Sequence, residues 1–84
     1  MKILAIFDNG GATLDRYTFV TDERDRHSGY YDMLGTDENG SGFSQWGQGR
    51  FDYHGDNKHL GKQVKWDSLT DALRAHVSHR LTEQ

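Results

Sequence analysis

Apolar residues occur along the chain in short runs, separated by glycine-rich and charged stretches. Both alternating sets of positions are apolar from Lys2 to Phe7, and this pattern predicts a central strand covered on both faces. Tyr17 to Thr21 is aromatic and β-branched, which predicts a second strand, and Tyr30 to Leu34 predicts a third. The loops between these strands carry glycine, asparagine and charged residues.

The middle of the chain has a less regular pattern. Aromatic residues alternate with polar residues and glycines from Phe43 to Tyr53. We interpret this segment as one irregular hairpin, because Gly47 and Gly49 would weaken a continuous strand. Lys62 to Trp66 predicts the last strand.

The end of the chain has helical periodicity. Leucine or valine recurs every fourth residue from Leu69 to Leu81, the spacing of one apolar face of a helix. Ser68 and Asp71 have the spacing of a capping box, and Asp67 is a second acceptable cap. We therefore predict a helix over about residues 68–81. Strands followed by one helix indicate an α+β domain, with a four- to five-stranded, mostly antiparallel sheet and the helix on one face.

Length and composition narrow the class of protein. The 84 residues fit a single domain, residues 1–84, and the absence of cysteine excludes disulfides and thiolate metal sites. The net charge is −3, with nine acidic and five basic residues in 1–54 and four and five in 55–84. Neither part has the density of Lys and Arg typical of nucleic-acid binding. The apolar run Ile3 to Phe7 is short for a secretory signal or a membrane span, so we expect a cytoplasmic protein without membrane contact.

The stretch DNGGATLDRYT, residues 8–18, follows the first predicted strand. Its glycines favour a hairpin turn, but the loop is longer than a hairpin requires. Leu14 either packs back or belongs to a contact loop. Asp15 and Arg16 either pair with each other, or Arg16 reaches an external anion. A phosphate-binding loop would be followed by a helix, whereas here a strand is predicted.

Two blocks of the chain carry a resemblance to a family of small uncharacterised bacterial and bacteriophage proteins. The first, Phe7 to Val20, is similar to an N-terminal DNGG-x-T-x-DRYT signature, and the second, His59 to Leu69, contains an HLGK segment. The resemblance implies a microbial or phage origin and an accessory role, and it implies no reaction. The matching residues are Asp8, Asn9, Gly10, Gly11, Thr13, Asp15, Arg16, Tyr17 and Thr18 in the first block and His59, Leu60, Gly61 and Lys62 in the second.

Two patterns have the residue types of metal sites. Asp37, Asn39 and Ser41 have the spacing of the first half of a calcium loop, but Gln48 stands where the loop needs a bidentate glutamate. We interpret this stretch as a polar turn. The histidines at positions 54, 59, 76 and 79 could form a zinc site; we instead expect His76 at the edge of the core and His79 towards solvent, near the helix end. No cofactor is expected.

The segment 43–54 interleaves aromatic rings with arginine and flexible glycines, as recognition surfaces do, although some of these rings must build the core. We expect Trp46 and Arg50 to be its exposed members. The expected binding residues are Asp15, Arg16, Trp46, Arg50, Tyr53, His54, His59 and Lys62.

Function is less well defined by the sequence than fold. We expect a small non-enzymatic protein that docks on a host or partner protein through the segment 43–54 and the loop 8–16. The alternative is a small-ligand or nucleotide-binding domain that uses Arg16, Arg50, His54, His59 and Lys62, and a third is a minimal hydrolase or metal protein. No serine lies in a nucleophile-elbow context. A homodimer stays an open alternative.

Overall fold

An antiparallel sheet of five strands and a terminal helix make up the fold in the computed structural model, which describes residues 1–83. The sheet order is β4-β3-β2-β1-β5, so β4 and β5 are its edges. This confirms the predicted α+β class. The elements are β1 (Ile3–Asp8), β2 (Tyr17–Arg24), β3 (Tyr31–Thr36), β4 (Ser44–Gly49), β5 (Lys62–Val64) and α1 (Asp71–Leu81), with single 3-10 turns at Lys58–Leu60 and Trp66–Ser68.

The strand register produces one apolar row that faces the helix. Ile6 pairs with Phe19, and Phe19 with Leu34, so these side chains lie side by side on one face. Leu73 and Val77 of α1 are fully buried against this row. Burial of each such side chain stabilises the fold by about 1.5–3 kcal/mol. An isolated helix of 11 residues would be marginal in water, so this packing holds α1 in place.

The opposite face of the sheet has a second, smaller core. Phe7 and Met33 are its largest buried residues, and Phe51 and Leu60 pack on it from the segment 50–61. The Phe51 ring meets the Phe7 ring edge to face at 6.1 Å between centroids. β1 is therefore covered on both faces, as its uninterrupted apolar pattern predicts.

The predicted hairpin over Phe43–Tyr53 is wrong. One continuous strand, β4, runs from Ser44 to Gly49, and no strand follows it before β5. Gly49 lies opposite Tyr31 in the ladder, and a Cβ at Gly49 would lie 2.9 Å from the Met33 sulfur. The glycine makes room for a core side chain here and does not interrupt the strand.

Several boundaries also differ from the prediction: β1 and β3 (Ile3–Asp8 and Tyr31–Thr36) are shifted by one or two residues, and three further ends differ. β2 continues to Arg24, whose guanidinium lies 5.2 Å from the centre of the Tyr31 ring on the neighbouring strand. β5 ends at Val64. The helix begins at Asp71, because the hydroxyl of Thr70 accepts the N–H of Leu73 at 3.2 Å and caps it. Neither Ser68 nor Asp67 is the cap.

Candidate functional site

The connection between β1 and β2 is organised by the side chain of Asn9. Its amide nitrogen donates to the Thr13 hydroxyl at 2.8 Å and to the Asp15 carbonyl at 3.2 Å. Its amide oxygen accepts the backbone N–H groups of Gly11 at 2.9 Å and Ala12 at 3.1 Å. One short side chain therefore closes the whole loop, which is preformed by local hydrogen bonds.

The charged residues at the base of this loop form an ion pair across β1 and β2. Arg16 Nε donates to Asp8 Oδ1 at 2.9 Å, and Arg16 Nη2 donates to Asp8 Oδ2 at 3.2 Å. These hydrogen bonds from Arg16 hold the pKa of Asp8 below its ordinary value. Of the two alternatives for these residues, mutual pairing of Asp15 and Arg16 is wrong, because the Asp15 carboxylate instead accepts the hydroxyl of Thr13.

The glycine amides of the loop already have acceptors within it. Gly10 N–H donates to Asp8 Oδ1 at 2.8 Å, and Gly11 N–H donates to the Asn9 side chain. Both glycines have positive φ, 75° and 89°, which a tight turn requires. A phosphate loop offers such N–H groups to its ligand. Here a carboxylate and an amide oxygen take them, so the loop is built as a hairpin connection.

Unlike the polar side chains of this loop, Leu14 is not held against the domain. Its side chain is 77% exposed, so it does not pack back onto the domain. The loop thus holds an apolar side chain in water on a backbone that is fixed by hydrogen bonds.

The two blocks that carry the family resemblance meet in space. β5 pairs antiparallel with β1, and Lys62 stands opposite Asp8. Just before it, Gly61 has φ 109°, and a Cβ there would lie 2.5 Å from the Asp8 carbonyl oxygen and 2.8 Å from Asn9 Cα. Only glycine allows this close approach of two backbones.

An open groove of about 750 Å³ lies between the two blocks. One wall is the loop from Asn9 to Asp15, and the other is the segment from Lys58 to Lys62. We call this the loop groove.

A second groove, of about 390 Å³, lies over β3 and β4 on the face away from the helix. Gly35, Gly47 and Gly49 line it and leave room above the sheet, and we call it the glycine groove. The two grooves have three lining residues in common, Asp15, Thr18 and Leu60. They therefore form one trough that runs from the loop to the edge strand β4.

The structure distributes the eight predicted binding residues over several places. Asp15, His59 and Lys62 line the loop groove, and Trp46 lines the glycine groove. Arg16 is held by Asp8 in the ion pair described above. The remaining three, Arg50, Tyr53 and His54, lie on the exposed stretch after β4 and line neither groove.

Trp46 does not have the exposure that we expected. It is half-buried and packs against the helix-side core, whereas Arg50 is exposed as expected. The carbonyl of Arg50 accepts a hydrogen bond from His59 Nε2 at 2.8 Å. This hydrogen bond joins the two ends of the segment 50–61. The exposed aromatic ring of this segment is Tyr53, which is 63% exposed.

Comparison of the chain with protein-family models, curated proteins and solved structures finds no match to any of them. The resemblance to small bacterial and phage proteins therefore stays a prediction.

The half-match to a calcium loop has a structural role in the turn between β3 and β4. The Asp37 carboxylate accepts backbone N–H groups of Gly40 at 2.6 Å, Gly42 at 2.8 Å and Phe43 at 3.1 Å. Burial raises the pKa of Asp37, but these hydrogen bonds together bring it below the ordinary value. Within residues 1–83, no three His, Asp or Glu side chains are grouped as a metal site would require.

The helix histidines lie where the sequence predicts them. His76 is half-buried, and its Nε2 is 2.6 Å from the Ser44 hydroxyl; His79 is exposed. Arg80 Nη1 donates to the Ser44 carbonyl at 3.2 Å. The end of α1 is thereby tied to the start of β4. In the described part of the chain, no helix has the length and hydropathy to cross a bilayer.

Sequence reasoning missed four residues that contribute to the trough. Asp8 was counted only within the family signature, although its position eight residues before Arg16 across a hairpin was a usable signal. Nothing in the sequence indicated the neighbours of Gly35, Gly47 and Gly61, because the contacts of a glycine depend on what the fold brings to it.

Proposed function

We propose that this chain is a small non-enzymatic accessory protein, of microbial or phage origin and cytoplasmic, that docks on a host or partner protein. The proposed contact surface consists of the loop 8–16 and the exposed residues of the segment 43–54. The exposure of Leu14 on a preformed loop is the observation that carries this proposal.

A water-exposed leucine gives the free protein no burial energy, whereas burial of such a side chain in a complex contributes about 1.5–3 kcal/mol. The loop is already ordered by its own hydrogen bonds, so binding costs little additional conformational entropy. Tyr53 adds a second exposed apolar surface, and tyrosine is enriched in the energetically dominant parts of interfaces.

The nucleotide-binding alternative has less support. Its two best donors at the loop, the glycine amides and the Arg16 guanidinium, already bind Asp8 and Asn9. An anion would have to displace hydrogen bonds that the free protein has made.

Capture of the partner from a lysate of host cells tests the proposal. We expect the immobilised wild-type protein to retain one specific partner, and Leu14→Ser to reduce the retained amount at least about tenfold, as loss of about 1.4 kcal/mol implies. Tyr30→Ser is the matched control, because Tyr30 is also exposed, at 46%, but lies in the β2–β3 turn at the other end of the strands. If the Leu14→Ser and Tyr30→Ser variants retain equal amounts of the partner, the proposed surface is contradicted.

A further inference from the structure

Within residues 1–83, no strand pairs with the outer edge of β4. In an antiparallel ladder, alternate residues direct their N–H and C=O groups to opposite sides of the strand. Asp37 N–H donates to the Phe43 carbonyl at 3.0 Å, which fixes the alternation between β3 and β4. It follows that Gln45 bonds towards β3, whereas Trp46 and Gln48 direct their backbone groups outwards.

Arg80 of α1 occupies the outward carbonyl of Ser44, but beyond Ser44 this edge lacks the features that keep most edge strands from pairing. Natural edges are shortened, bulged, charged or interrupted by proline. β4 has the sequence SQWGQG, without charge or proline, and its register with β3 is unbroken over six pairs. At the opposite edge, β5 has only three residues and begins with Lys62. β4 is therefore the edge that is open to strand addition.

The glycine groove lies directly beside this edge and contains one carboxylate. A Cβ at Gly47 would meet no atom within 4 Å, and the Asp15 side chain lies above Gly35, with its Cβ 3.1 Å from the position of a Gly35 Cβ. None of the ion pairs in residues 1–83 includes Asp15. Asp15 thus offers a negative charge in a groove whose floor includes three glycines, beside the side chains of Phe43 and Gln45.

We propose that β4 receives an extended segment of the partner protein as a sixth strand, and that this segment carries a Lys or Arg directed to Asp15. Strands lie about 4.8 Å apart, so a residue of the added strand level with Gln45 lies about 10 Å from Gly35. A long basic side chain spans most of this distance, and its methylene groups lie beside the Gln45 side chain, which is on the same face of the sheet as Gly35.

A second copy of this chain fits the edge less well. Its β4 has no basic residue for Asp15, and each copy has a net charge of −3. The inference rests on the proposed function, because it specifies how the partner protein is held.

Two synthetic peptides test the inference. Each is a capped eight-residue strand of alternating Val and Thr, and the two differ only in one central residue, Arg or Glu. We expect the Arg peptide to bind about tenfold tighter than the Glu peptide, since attraction in one and repulsion in the other together make about 1.4 kcal/mol. Binding is followed by amide NMR, and we expect slowed hydrogen exchange at Trp46 and Gln48.

Matched variants separate the two parts of the inference. Asp15→Asn should bring the preference for the Arg peptide down to about twofold, while Asp67→Asn, which removes an exposed acid elsewhere, should preserve it. Gln48→Pro removes an outward N–H without breaking the ladder to β3 and should abolish binding. The backbone hydrogen bond from Asn9 to Arg16 fixes the alternation in β1, so Gln63, which is opposite Phe7, directs its N–H outwards from β5. Gln63→Pro therefore makes the same change at the other edge of the sheet and should leave binding intact.

Three results would overturn the inference. The first is equal affinity of the two peptides, or no binding by either. The second is binding that survives Gln48→Pro in a protein whose NMR spectrum shows the native fold. The third is concentration-dependent protection of Trp46 and Gln48 in the protein alone, with a dimer that Gln48→Pro dissociates, which would assign the edge to a second copy.

The two proposals fail separately. If Leu14→Ser abolishes partner capture and the peptides do not bind, the strand addition is wrong and the docking surface stands. If the peptides bind as expected but no captured protein depends on Leu14, the docking surface is wrong and β4 remains a strand-binding edge.

Discussion

Replacement of Gly61 by alanine tests the contact that joins the two walls of the loop groove. Gly61 has φ 109° and ψ −158°, a region of backbone space that only glycine occupies freely. An alanine Cβ would also lie 2.5 Å from the Asp8 carbonyl oxygen and 2.7 Å from its carbon. Both obstacles are backbone atoms of a paired strand, so they cannot move aside as a flexible side chain would.

The two effects combine into a large loss of stability. Strain of this kind costs about 1–3 kcal/mol, and a forced steric shift costs about 1–3 kcal/mol more. We expect Gly61→Ala to lower the free energy of unfolding by about 3 kcal/mol, from a total of about 4–13 kcal/mol for a domain of this size. The melting temperature should fall by about 12–24 °C.

Two other glycines provide graded controls. Gly10 has φ 75° and open space around its Cβ position, so Gly10→Ala should cost only the strain of the left-handed region, about 1–2 kcal/mol. Gly47 has neither a positive φ nor a neighbour within 4 Å, and Gly47→Ala should stay within about 1 kcal/mol of the wild type.

Urea unfolding, followed by the fluorescence of the two tryptophans, measures all three variants. The reasoning predicts the order Gly61, Gly10, Gly47 from most to least destabilised. If Gly61→Ala is no less stable than Gly10→Ala, the close approach of the two blocks is refuted.

Two further changes test the helix and the β3–β4 turn. Thr70→Ala should lower the free energy of unfolding by about 1 kcal/mol through loss of the cap on Leu73, whereas Ser68→Ala should change it by less than about 0.5 kcal/mol; urea midpoints that move equally would contradict the cap. The lowered pKa of Asp37 means that the unfolded chain takes up a proton first, so its contribution to stability is complete above about pH 5 and is lost as the pH falls through the folded-state pKa. Asp37→Asn should therefore flatten the dependence of the unfolding midpoint on pH between about 5 and 2, and an unchanged slope would refute this role.

The sequence predicts the positions of the strands and the helix better than it predicts which residues contact one another between them. The apolar spacing from Leu69 to Leu81 and the aromatic and β-branched run at Tyr17 are local signals, and both predict the right type of element, although one boundary of each differs. Glycine was a weaker guide. Gly47 and Gly49 suggested a break, but Gly49 instead makes space for Met33 from the next strand. That space is a property of the sheet, which local pattern does not contain.

The candidate site divides in the same way. The turn chemistry of Gly10 and Gly11 and the contact-loop alternative for Leu14 follow from the residues themselves. The partner of Arg16 and the burial of Trp46 do not, because both depend on which strands become neighbours.

By itself, the sequence determined an α+β domain with a long glycine loop and a terminal amphipathic helix, since periodicity and turn preference act over a few residues. Only the tertiary structure decided that β4 is an open edge and that Gly61 abuts Asp8. It also placed Asp15 in the trough that joins the loop groove to β4. These features arise from strand order and register, which are set by contacts between residues far apart in the chain.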